Sequence, residues 1–146
     1  MPMKTTIYLG ADHAGFALKE AVKGVLKNSM DLSPAKIEGD DYPLAARKVA
    51  MAVLQDKNAL GLLFCGTGHG MDIAANRFRG MRAIVARTDK DAKLAREHNH
   101  ANALVLGGWI TKPAAAKKII AAFLKAKPSK EKRHVRRVKQ LDDIRD

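Results

Sequence analysis

Cysteine is almost missing from this chain. Cys65 is the only one in 146 residues, which excludes an intrachain disulfide and leaves one thiol for packing or chemistry in a reducing compartment. Aromatic residues make up only 5% of the chain, and the lysine- and arginine-rich segment from Lys125 onward has no Phe, Tyr or Trp. That segment lacks the platforms on which single-stranded nucleic acids stack their bases, so no nucleic-acid partner is expected. No apolar run approaches the ~18–20 residues of a membrane-spanning helix, and residues 1–5 lack the apolar stretch of a secretory signal. A cytoplasmic protein with no membrane partner is the expectation. Acidic groups are also few: 15 against 27 Lys and Arg, a net charge of +12. Such a surface draws polyanions or a small phosphorylated substrate, although many of the lysines serve only to solvate helix faces.

What is present is globular. Hydrophobic residues are 47% of the chain, enough to offset ordering entropy, and the length suits one compact core. Short aliphatic runs alternate with stretches of helical period, the pattern of successive βα units and a parallel sheet. Strands are expected over 6–10, 60–65, 83–86 and 103–106, with a short or edge strand inside 30–37, where Pro34 interrupts the pattern. Helices are expected over 15–27, with Phe16, Leu18, Val22, Val25 and Leu26 on the apolar side, and over 43–55, 89–97 and 113–124, with one more beginning in the glycine-rich stretch after residue 65. Thr111 is placed to cap the helix that Pro113 begins. Val135, Val138, Leu141 and Ile144 recur every third residue, which predicts an amphipathic tail helix. The fold class is therefore α/β, a five-stranded parallel sheet over 1–126 followed by a basic helical tail over 127–146.

The densest chemical signal is Cys65-Gly66-Thr67-Gly68-His69-Gly70, where a buried strand turns into a helix. Alternate glycines let backbone N–H groups converge on an anion, and the helix start adds partial positive charge. The same donors favour a thiolate over a thiol. The loop ends in Gly70-Met71-Asp72 and so lacks the Lys-Ser/Thr of a nucleoside-triphosphate loop; Met71 also breaks the dinucleotide fingerprint and stands where a cysteine phosphatase carries its arginine. A second cluster, Gly10-Ala11-Asp12-His13, also follows a strand. It shares an edge with Cys65 if strands one and three are neighbours, and a carboxylate and an imidazole there can orient hydroxyls or bind phosphate. His98, Asn99 and His100 end a helix, where histidines commonly answer the helix dipole. No second group of ligands at metal spacing accompanies them. Tyr42, before Pro43, reads as a helix-entry residue.

Five stretches taken together resemble the ribose-5-phosphate isomerase B and galactose-6-phosphate isomerase family: GADHAGFALKE, DYPLAARKVA, GLLFCGTGHGMDIAANRFRGMRA, AREHNHANALVLGG and RHVRRV. The resemblance implies a single-domain α/β/α sandwich with a Rossmann-like sheet, a homodimer or tetramer with sites at the dimer interface, and no metal or organic cofactor. By motif position it makes Cys65 the base at the sugar carbon, with Thr67 beside it and His98 acting in ring opening. Gly66, Gly68, His69 and Gly70 would form the anion turn, Asp12, His13, Tyr42 and Asn99 would contact hydroxyls, and Arg133 and Arg137 would hold phosphate. The implied reaction interconverts D-ribose 5-phosphate and D-ribulose 5-phosphate. Allose 6-phosphate or galactose 6-phosphate is the alternative substrate, and a non-catalytic sugar-phosphate binder the alternative function. The chain departs from the family at His69 and Asp72, at Trp109, where relatives often carry arginine, and in a short segment around 31–39.

Overall fold

The computed structural model describes residues 4–145. Residues 1–3 and 146, which the expected domain bounds and the 1–5 segment include, lie outside the described residues. The chain forms β1 (Ile7–Ala11), α1 (Phe16–Lys23), β2 (Ser29–Asp31), α2 (Tyr42–Leu54), β3 (Leu60–Cys65), α3 (His69–Asn76), β4 (Ala83–Val85), α4 (Asp89–Asn99), β5 (Ala103–Gly107), α5 (Pro113–Lys125) and α6 (Lys132–Asp143). All five strands run parallel in the order β2-β1-β3-β5-β4.

The period-two alternation of a strand divides the core between two faces. Leu62 and Phe64 of β3 join Leu18 and Val22 of α1 and Ile119, Ile120 and Phe123 of α5 on one side. Leu63 and Cys65 join Val49 and Val53 of α2 and Met71 and Ala75 of α3 on the other. Every residue of β3 and β5 is buried, as continuous apolar runs require in a sheet covered on both faces. This is the parallel sheet that the alternating pattern predicts, in the three-layer sandwich that the family resemblance implies. Because the chain leaves β1 for β2 on one side and returns as β3 on the other, a crevice opens at the carboxyl ends of β1 and β3, where ligands bind in such sheets.

Several sequence expectations need correction. Helix α1 stops at Lys23, before Gly24, and Val25 is exposed instead of facing the core. Lys112, not Thr111, is the N-cap of α5, and no side chain caps it; the Thr111 amide donates to Gly107 O instead. The expected second strand shrinks to three residues at the sheet edge, and the chain after it is held by side chains. Lys19, fully buried, donates from Nζ to the carboxylates of Asp31 and Glu20 and, at 2.8 Å, to the Ser33 carbonyl. A buried ammonium survives only when charge and hydrogen bonds compensate its lost hydration, so Lys19 fixes the path from β2 toward α2. In α6, Val138 is buried but Val135, Leu141 and Ile144 remain exposed. Among the described residues no helix is long and apolar enough to cross a membrane.

Candidate active site

Cys65 ends β3 beside Gly107 of β5, and the chain then turns sharply into α3. Gly68 at the N-cap has φ 92°, a left-handed conformation that side chains resist, which explains a glycine at this point of the turn. The turn aims the Gly68 N–H at Cys65 Sγ, 3.2 Å away, and the His69 N–H at Thr67 Oγ1, also 3.2 Å away. Cys65 is buried, so its sulfur meets a backbone donor in place of water. At the end of β1, Asp12 is buried, and its Oδ1 accepts from the Ala14 and Gly15 N–H groups at 3.0 and 2.9 Å. Gly15 lies so close to the Phe64 backbone that a Cβ there would collide with it, which brings the two strand ends together.

A cavity of about 190 Å³ lies between these ends, lined by Asp12, His13, Tyr42, Cys65, Thr67 and Trp109, among others. Tyr42 packs over Gly70 and the Trp109 ring over Gly66; a Cβ on either glycine would come within 2.7 Å of the ring. The structure thus brings together Asp12, His13, Tyr42, Cys65, Gly66, Thr67 and Gly70. His69 is exposed and outside the cavity wall, and burial pushes the half-buried Asp72 carboxyl above its ordinary range.

His98, Asn99, Arg133 and Arg137 stand elsewhere. All four are exposed. His98 lies five residues before Ala103, whose strand partner Gly61 is four residues before Cys65, about 13 Å back along the sheet. There it stacks on His134 of α6, ring centroids 4.5 Å apart. Asn99 lines a separate cavity of about 840 Å³ with Arg77, Arg79, Arg82 and Arg145. Each chain therefore carries two groups of polar residues, one around Cys65 and one around the α4–α6 contact.

Two residues escaped the sequence reading. Asp40 Oδ1 accepts from the His13 N–H at 2.7 Å and lies 3.0 Å from His13 Nδ1. That hydrogen bond, with Asp12 adding charge, raises His13 above its ordinary value of 6.5. No periodicity marks Asp40, which sits in an irregular segment. His134 is buried and hydrogen-bonded to Ser129 Oγ at 2.8 Å; burial, and then His98, lower its pKa from the ordinary histidine value. Its place between Arg133 and Val135 hides it within a run that reads as surface charge.

The His13 pair has a sign that can be tested. A histidine whose folded pKa is raised stabilises the fold fully below its unfolded value and loses that contribution as pH rises through the folded one. In Asp40→Asn the amide keeps the size and loses the charge, so the His13 midpoint, followed by its imidazole proton resonances, is expected to fall toward 6.5. An unmoved midpoint would show that Asp40 does not set this charge.

The parallel sheet, with a thiol and a glycine turn at its switch point, defines an α/β protein with a candidate small-molecule cavity at the carboxyl edge. The chain belongs to the ribose/galactose isomerase family, whose model matches residues 7–141. It is 38% identical over 137 residues to ribose-5-phosphate isomerase B of Mycobacterium tuberculosis, covering 90% of this chain and 85% of that one. The crystal structure of a ribose 5-phosphate isomerase from Thermotoga maritima superposes with a TM-score of 0.91 at 40% identity, over 97% of this chain and 100% of that one. Ribose-5-phosphate isomerase B of Mycoplasma genitalium, solved with bound ribulose-5-phosphate, superposes with a TM-score of 0.89 at 36% identity, over 97% and 96% of the two chains.

Proposed function

We propose that this chain is an aldose–ketose isomerase that interconverts D-ribose 5-phosphate and D-ribulose 5-phosphate through a cis-enediolate. The observation that carries the reading is the Cys65 thiol, buried at the end of β3 with a backbone N–H aimed at its sulfur and a cavity in front of it. Removing a proton beside a carbonyl places negative charge on oxygen. Preorganised N–H donors in a site closed to water are worth about 3–4 kcal/mol each to such a transition state. Cys65 takes the proton from one sugar carbon and returns it to the next, while N–H groups of the 66–70 turn hold the enediolate oxygen. Thr67 stands beside the base, and Asp12, His13 and Tyr42 meet the sugar hydroxyls. No metal or organic cofactor enters these steps.

The remaining groups come from a neighbouring copy. His98, Asn99, Arg133 and Arg137 cluster away from their own Cys65, and a twofold dimer would place this group over the partner's cavity and make two sites. His98 then moves protons on the ring and chain oxygens during ring opening. Arg133 and Arg137, four apart on α6, share a helix face and grip the phosphate together. In an assay with ribose 5-phosphate, wild type is expected to turn over, and Arg137→Ala to raise KM on the order of 10- to 100-fold, the equivalent of a charge-assisted hydrogen bond, with a smaller effect on Tm. A wild type inert on ribose 5-phosphate would refute the reading, and an unchanged KM in the variant would put the phosphate elsewhere.

A further inference from the structure

Trp109 is the only tryptophan in the chain, and 72% of its surface is exposed although it carries the largest apolar side chain of the fold. It also lines two neighbouring cavities, and is the one residue those two share. On one side is the 190 Å³ cavity of Cys65; on the other, one of about 300 Å³ formed with Ala17, Leu18, Ile110, Thr111 and Lys112. The ring is held by more than its own packing. The Trp109 N–H donates to Gly66 O at 2.9 Å, the Gly108 N–H donates to Cys65 O at 2.7 Å, and the ring face rests on Gly66, where any Cβ would strike it. The chain after β5 is thus tied to the turn that carries the thiol, with the indole standing between the two spaces.

We propose that Trp109 determines substrate length: it is a partition that closes the Cys65 cavity to five-carbon sugar phosphates, and its removal joins the two cavities and admits six-carbon ones. The inference rests on the sugar-phosphate reading above and adds to it which chain length the site accepts. With the indole in place, a sixth carbon would have to occupy the volume of the ring. Without it, the extra carbon and its hydroxyl can extend into the second cavity, toward Lys112. One carbon more or less in such a pocket changes discrimination by on the order of 10- to 200-fold.

The test compares wild type, Trp109→Ala and Trp109→Phe, with Trp109→Val as a second truncation should the alanine variant fail to fold. Calorimetry gives Kd for ribose 5-phosphate and for allose 6-phosphate, and a separate assay gives turnover of each. The expected result is that the ratio of the two Kd values shifts at least ~10-fold toward allose 6-phosphate in the truncated variant, while phenylalanine, still a wall, keeps the wild-type preference. A ratio unchanged in a folded truncation would overturn the proposal. So would an equal shift in Trp109→Phe, since loss of the indole itself, and not of the wall, would then be the cause. Turnover reports on the isomerase reading alone: inert wild type sinks that reading, while the Kd ratio still decides the partition.

Discussion

Cys65→Ser is expected to lose at least ~10²-fold in kcat while melting within a few degrees of wild type. Serine is nearly isosteric and keeps a hydrogen-bonding atom for the Gly68 N–H, so a packing role would tolerate it. A proton-transfer role would not, because a hydroxyl is a far weaker acid than a thiol and is scarcely ionised near neutral pH. The comparison separates the two roles because Cys65 also sits in the core between β3 and α2–α3, where Cys65→Ala leaves a gap as well as removing the base. A serine variant within a few-fold of wild type would assign the base elsewhere.

The second large effect concerns two chains at once. Asp12 and His13 follow β1 and Cys65 ends β3, whereas His98 ends a helix that has run back toward the amino ends of the strands, where it is stacked on His134. Cys65→Ala and His98→Ala are each expected to be nearly inactive. Unfolded together in equal amounts and refolded, they form mixed dimers in about half of the pairings, each with one intact site of two, so about a quarter of wild-type activity should return. If mass spectrometry finds mixed dimers and activity stays absent, both residues act within one chain.

Much of this fold is legible in the letters, and the reasons for the rest are physical. β3 and β5 declare themselves because strands buried on both faces read as unbroken apolar runs, and the glycine turn after Cys65 because only such residues allow its backbone path. The neighbouring of β1 and β3, on which the cavity depends, is not written in either strand; it comes from β2 taking the other side of β1. Thr111 is of a type that caps helices, but α5 begins one residue too late for it, with Lys112 at the N-cap, and residue type alone does not fix that boundary. In α6 the apolar spacing predicts the helix, but in the single chain only Val138 of the four expected positions is buried, and spacing does not tell what Val135 or Leu141 would meet.

The candidate site divides the same way. Asp12, His13, Cys65 and Thr67 stand in short motifs directly after strands, so sequence places them on one edge and the structure puts them around one cavity. Asp40 does not, because the segment that carries it has no period of its own and is fixed by distant side chains, Lys19 among them. Trp109 was visible only as a departure from an expected arginine. Its position between two cavities depends on the contact of Trp109, after β5, with Gly66 in the turn after β3, residues far apart in sequence.

If Cys65 carries a proton between neighbouring sugar carbons, proton resonance in heavy water reports it most directly. During repeated passage of ribose 5-phosphate through wild type, the thiol exchanges with solvent, so the C2 proton signal should fade in step with turnover. In Cys65→Ala, with its fold confirmed, the fading should be at least ~10²-fold slower. Exchange in that variant at the wild-type rate would contradict the account, as would a wild type that reaches equilibrium over many turnovers with its C2 proton intact.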